Sequence, residues 1–221
     1  MIARELISQT LPQLKCTDIG QKAINLMESY RVSHLPLING TEYLGLISDK
    51  NIYDMELEMC TLGDQSSKLI TPFMRSHQHI YEVVQKLMEL EISVMPVLEM
   101  NNEYIGSIVL SELSKSFVKL VAVNEPGAVI VLELNPVNYS LSQIAQIIES
   151  NDAKVLSLYT YVPENKNELD VTLKVNVSDI SSIIQTFVRY DYTIKAVYMD
   201  DSLLTDMYNE RFEMFMKYMD L

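Results

Sequence analysis

Two stretches of this chain are variants of one pattern. Ala23–Ile52 reads AINLMESYRVSHLPLINGTEYLGLISDKNI, and Val83–Leu113 reads VVQKLMELEISVMPVLEMNNEYIGSIVLSEL. Each runs from an apolar helix into hydrophobic-Ser-x-hydrophobic-Pro-hydrophobic, then a short turn, then Tyr-hydrophobic-Gly. Val32, Ser33, Leu35 and Pro36 correspond to Ile92, Ser93, Met95 and Pro96; Tyr43 and Gly45 correspond to Tyr104 and Gly106 after one inserted residue. A repeat of about 60 residues predicts two similar units that pack face to face and place any site between them.

Helical spacing of Ile19, Ala23, Leu26, Met27 and Tyr30 predicts the first helix, with Thr17 or Asp18 as its cap. Strands are expected at Leu35–Ile38 and Tyr43–Ile47, joined by the Asn39-Gly40 turn, with Ser48 opening a helix through Ile52 toward Met59. The second copy repeats this order: helix Ile80–Leu90, strands Met95–Leu98 and Tyr104–Val109, helix Glu112–Val121.

Pro126-Gly127 marks a break, and the character changes beyond it. An apolar strand, Ala128–Leu134, ends at Asn135-Pro136. A Ser140/Gln143 capping box precedes a helix bearing Leu141, Ile144, Ala145 and Ile148. Leu156–Val162 reads as a strand, and Leu169–Val177 alternates strictly, as a half-buried strand does. Ser178 is expected to cap a helix carrying Ile180, Ile183, Ile184, Phe187 and Val188, and Lys195–Met199 is the last strand. This β-α-β-β-α-β order is the ferredoxin-like split unit. A Met- and Phe-rich helix from Leu203 to Tyr218 is expected to pack on its own domain or on a partner subunit.

The expected domains are therefore 1–61, 62–123 and 124–202, followed by a helix over 203–221. The fold class is α+β.

Thirty acidic against 17 basic residues give a net charge of −13, and Lys and Arg never cluster. Counterion release from a nucleic-acid backbone needs a basic patch, so DNA and RNA are excluded as main partners. No run of about 18 apolar residues is present, and the N-terminus lacks a signal-peptide pattern, so no membrane association and a cytoplasmic location are expected. Cys16 and Cys60 stand in unlike contexts and read as reduced thiols. His77 and His79, at i and i+2, could begin a metal site, but no carboxylate or cysteine pattern completes one. No phosphate loop, dinucleotide fingerprint or nucleophile motif points to an enzyme.

On these residues the two repeats resemble a tandem pair of CBS domains forming one Bateman-type module, over most of residues 5–122. The unit from about 126 to 200 resembles an ACT domain, a regulatory ferredoxin-like fold. The combination is similar to bacterial CBS–CBS–ACT proteins of the acetoin-utilisation type. The resemblance implies an adenosyl ligand (AMP, ATP or S-adenosylmethionine class) in the clefts between repeats, no obligatory cofactor, and a homodimer acting on a small-molecule effector or an unidentified protein target.

The family's nucleotide motif is Gly-hydrophobic-hydrophobic-Ser/Thr-x-x-Asp. Copy one offers Gly45, where a ligand could approach the strand closely, and Ser48 at a helix N-terminus, a position that favours phosphate. Asn51 stands where the family has Asp and can accept a ribose hydrogen bond without carrying charge. Copy two keeps Gly106 and a carboxylate, Glu112, but Val109 replaces the hydroxyl residue.

By alignment Thr17 and His77 stand at the cleft entries. His34, Leu35 and Pro36, with Val94, Met95 and Pro96, would form the apolar wall. Arg31, His34 and Lys50 are the candidate positive charges, so few that an uncharged or cationic adenosyl compound fits no worse than ATP. The alternative is that Ser48 and Ser111 are ordinary helix caps and the clefts are empty, leaving a ligand-free dimerisation scaffold. A third reading places an amino acid at the ACT-like turn Asn135–Tyr139. That turn has no glycine, which favours dimerisation alone.

Overall fold

A computed structural model describes residues 1–164 and 167–199 of the chain. It divides into two compact units, Met1–Ser116 and Phe117 onward. The expected tail helix over 203–221 lies outside the described residues.

In the first unit the repeat is visible strand by strand. Copy one comprises β1 (Leu14–Lys15), α1 (Gly20–Tyr30), β2 (His34–Asn39), β3 (Glu42–Ser48) and α2 (Asp49–Asp54). Copy two comprises β4 (Met74–Arg75), α3 (Ile80–Glu89), β5 (Val94–Leu98), β6 (Tyr104–Val109) and α4 (Leu110–Leu120). The sheets are ordered β1-β2-β3 and β4-β5-β6, with a parallel first pair and an antiparallel second pair in each. Even the irregularity repeats: a register shift falls at Leu37/Ile38 in one sheet and at Val97/Leu98 in the other. One shared core joins the copies, including Leu35, Leu37, Leu46 and Ile47 from the first and Val94, Met95, Val97 and Ile108 from the second, all fully buried.

α1 and α3 stop in the same way. Arg31 and Glu91 adopt left-handed φ values of 54° and 52°. The next amides, of Val32 and Ile92, then donate back to the carbonyls of Met27 and Leu87 at 3.0 and 3.2 Å. This closure satisfies helix-end carbonyls but places a side chain where glycine is preferred.

The segment that precedes each copy pairs with the other copy. The Leu46 amide of β3 donates to the Ile70 carbonyl at 2.8 Å, and the Ser8 amide donates to the Ser107 carbonyl of β6 at 2.9 Å. These close approaches account for the repeated glycine. A Cβ on Gly45 would lie 2.6 Å from Leu69 Cβ, and one on Gly106 would collide with Ile7 Cγ2. The glycines therefore admit the crossing segments, and the space expected for a ligand at Gly45 and Gly106 is filled by Leu69 and Ile7.

Several helix starts differ from the sequence expectation. Neither Thr17 nor Asp18 caps α1, whose N-cap is Ile19. Asp18 instead accepts from the Lys15 amide at 2.9 Å, closing the β1 turn. Gln78 closes the matching turn on Arg75 in copy two. α2 ends at Asp54 rather than running toward Met59, because the chain reverses at Glu56 (φ 50°) and the Leu57 amide returns to the Ile52 carbonyl. α4 starts at Leu110, so Ser111 lies inside its first turn and does not cap it.

The second unit contains β7 (Val129–Leu134), α5 (Leu141–Glu149), β8 (Val155–Tyr161), β9 (Leu169–Val175), α6 (Ser181–Arg189) and β10 (Thr193–Tyr198). Its sheet is ordered β10-β7-β9-β8, with every neighbouring pair antiparallel, which is the ferredoxin-like arrangement. Along β9 the odd-numbered residues Leu169 to Val175 are buried and the even ones half-exposed, as its alternation predicts. Ile144, Ile147 and Ile148 of α5 and Ile183 and Phe187 of α6 cover that apolar face.

Ser140 accepts from the Gln143 amide, but the Gln143 side chain accepts the Tyr192 hydroxyl at 2.8 Å, so the expected capping box is half-formed. Ser178 does not cap α6; the Asp179 carboxylate receives the Ser181 amide and hydroxyl. Among the described residues no helix is long and apolar enough to cross a membrane.

Candidate functional site

The two copies touch through the serines that mark the repeat. The Ser33 amide donates to Ser93 Oγ at 3.0 Å, and the two hydroxyls lie 3.2 Å apart. His34 completes the cluster: its Nδ1 is 3.0 Å from Ser33 Oγ and 3.2 Å from Ser93 Oγ, and it accepts the Ser93 amide at 3.3 Å. A backbone N–H has no alternative role, so Nδ1 is the acceptor and the ring proton resides on Nε2. Burial lowers the His34 pKa below the usual histidine value, with Asp49 pulling weakly the other way. The ring is thus uncharged near neutral pH and cannot supply the positive charge expected of it.

The serine carbonyls repeat the symmetry. Ser33 O accepts the Asp49 amide at 3.1 Å, and Ser93 O accepts the Leu110 amide at 3.0 Å. Each serine thereby ties the end of one helix to the start of the next.

Beside this cluster lies a cleft of about 440 Å³. Ile24, Met27, Glu28 and Arg31 of the α1 region, Val32 and Ser33, Asp49 and Tyr53 of α2, and Ser93 from the other copy line it. Ser48 and Asn51, on either side of Asp49 in sequence, are not among the residues that line it. They face one another: the Asn51 amide donates to Ser48 Oγ at 3.0 Å, while Asn51 Oδ1 receives the Ser48 hydroxyl at 2.8 Å and the Ser48 amide at 3.1 Å. This reciprocal box starts α2. The first amides of α2 are all engaged, Asp49 N on Ser33 O, Lys50 N on Asp49 Oδ1 and Asn51 N on Ser48 Oγ. With only six residues in the helix as well, the phosphate-binding N-terminus expected from the motif is not present.

The other expected residues are dispersed. Pro36, Val94 and Pro96 are buried, Val94 completely, together with Leu35 and Met95, so the proposed apolar wall is core rather than cleft surface. Thr17 is exposed in a separate cleft of about 350 Å³ with Lys15, Cys16, Ile38 and Gly40. His77 is exposed, and its neighbour His79 caps α3 by accepting the Tyr81 amide at 3.3 Å while Glu82 takes the His79 amide. Glu112 receives the Ser8 hydroxyl at 3.2 Å, so the N-terminal segment occupies the carboxylate of copy two. In the sequence Ser33 and Ser93 stand out as repeat markers, and their identity in both copies is the signal for their contact.

In the second unit a cleft of about 450 Å³ opens at the β7–α5 turn. Glu133, Asn135, Asn138 and Gln143 line it on one side, and Tyr190, Asp191, Tyr192 and Thr193 on the other. It includes the turn singled out for an amino acid.

Residues 4–58 match the family model of the CBS domain, so the chain contains a CBS domain. A homoserine O-acetyltransferase from Methanosphaera stadtmanae is 25% identical over 120 residues. The match takes in 52% of this chain but only 24% of that enzyme. Among solved structures, a CBS domain pair/ACT domain protein from Thermotoga maritima is similar with a TM-score of 0.47 and 14% identity, over 53% of this chain and 97% of that one. CBSX2, solved in complex with AMP, gives a TM-score of 0.44 and 17% identity over 53% and 96%. The CBS domain of a bacterial CNNM/CorC family Mg²⁺ transporter, solved in complex with ATP, gives 0.41 and 14% over 52% and 85%.

Proposed function

We propose that this protein is a regulatory sensor of a small adenosyl ligand, held between the two copies of the first unit on the copy-one side. The observation that carries the reading is the direct contact of Ser33, His34 and Ser93 at the edge of the 440 Å³ cleft. A molecule in that cleft touches both copies at once. Any difference in its affinity for two relative orientations of the copies then shifts the population between them. The CBS domain at residues 4–58 and the two motif copies support the ligand class. Ser48 and Asn51 would hold the start of α2, and with it Asp49 and Tyr53, in position around the ligand.

The second unit would pass the change to a homodimer partner or to a protein target. Its own cleft favours one further reading, capture of an amino acid. Asp191 there suits an ammonium group, and the amides of Asn135, Asn138 and Gln143 suit a carboxylate.

A thermal-shift screen with adenosine, AMP, ATP, S-adenosylmethionine and the amino acids tests both. A ligand bound by the native state alone raises the melting temperature. A shift with an adenosyl compound that disappears in Ser48→Ala/Asn51→Ala supports the sensor. A shift with an amino acid alone moves the site to the second unit. A flat screen favours a ligand-free scaffold.

A further inference from the structure

We propose that the copy-one cleft selects adenosyl ligands without a phosphate chain, preferring an uncharged or cationic substituent on the ribose. The inference rests on the adenosyl reading above and narrows it. Three independent observations point the same way.

The cleft's lining carries two carboxylates, Glu28 and Asp49, against one cation, Arg31. Lys50, the other basic residue of the motif, is not part of the lining. At a separation of several ångströms near a protein surface, two like charges cost on the order of kcal/mol, so one guanidinium offset by two carboxylates does not hold a triphosphate.

Three amides that could cradle an anion are already donated within the protein, to Ser33 O, Asp49 Oδ1 and Ser48 Oγ. The third observation is His34. It does not line the cleft, and its Nδ1 is committed as an acceptor to the Ser93 amide, so it provides no imidazolium for a phosphate. What the site does offer is hydroxyl and carboxylate acceptors (Ser33, Ser93 and Asp49), apolar surface from Ile24, Met27 and Val32, and the Tyr53 ring. These groups suit ribose hydroxyls, an amine or a sulfonium.

Calorimetric titration of the full chain with adenosine, S-adenosylmethionine, AMP and ATP in EDTA reads this directly. Adenosine or S-adenosylmethionine is expected to bind at least tenfold more tightly than ATP, with AMP between. In Glu28→Gln/Asp49→Asn, isosteric changes at two exposed positions, that gap should shrink severalfold.

ATP binding as tightly as adenosine overturns the charge rule and leaves the adenosyl reading standing. A gap unchanged in the double variant overturns its assignment to Glu28 and Asp49. Absence of binding by all four compounds overturns the adenosyl reading and the selectivity with it.

Discussion

Copy one and copy two share a backbone down to the register shift, yet they treat the start of their last helix in opposite ways. In copy one Ser48 and Asn51 bind each other at the start of α2. In copy two Val109 is buried in the serine's place and Glu112 is taken by Ser8. At the position preceding Leu35 and Met95, His34 is half-buried and polar, whereas Val94 is sealed in the core. The fold is thus maintained by apolar spacing and the crossing segments, which both copies keep. The chemistry is free to diverge, and Glu28, Arg31 and Asp49 of the first copy line the cleft together with Ser93 of the second.

The largest effect is expected at the crossings. Gly45→Ala should destabilise the protein by about 3 kcal/mol, because its Cβ meets Leu69 Cβ and the Ile70 carbonyl. Gly106→Ala, which meets a side-chain methyl of Ile7, should cost about 2 kcal/mol. Urea denaturation ranks them, and the reverse order would show that the Leu69–Ile70 crossing yields more readily than the Ile7 one.

Next, Val94→Ala should cost about 2 kcal/mol through loss of buried methyls. His34→Ala should cost less and impair ligand binding instead. Equal stability losses would remove the distinction between a core position and a site position. Ser48→Ala should then cost about 1 kcal/mol through loss of the cap of α2. Ser111→Ala, which caps nothing, should cost a few tenths.

The smallest effect concerns pH. The His34 pKa is lowered by folding, so the unfolded chain binds the extra proton first. Stability from this group is complete above its ordinary pKa of about 6.5 and declines as pH falls below that value toward the folded one. In His34→Asn that part of the decline between pH 7.5 and 5.5 should be absent, and an unchanged pH profile would show that burial of His34 does not restrain its protonation.

Much of this architecture was legible in the sequence because periodicity reports burial. Tyr104–Val109 matches residue for residue, and the alternation of Leu169–Val175 places one face of β9 in the core. Helix starts were less legible. Ser178 looks like a cap, but Asp179 is better placed, and Asp18 spends its carboxylate on a turn. Local residue type does not reveal which of several competing acceptors an amide will reach.

The site was the least legible part. Gly45 and Pro36 belong to a recognisable motif, but their surroundings depend on Leu69 and on the core, both distant in sequence. The Ser33–Ser93 contact arises only when two copies fold against each other.

Hydrogen exchange with and without saturating adenosine tests the asymmetry between the copies most directly. Protection is expected at 24–34, 48–54 and 92–95, the segments that form the copy-one cleft, with 106–113 unchanged. Protection centred on 106–113, or on 133–143 and 190–193 of the second unit, would contradict the assignment of the site to copy one.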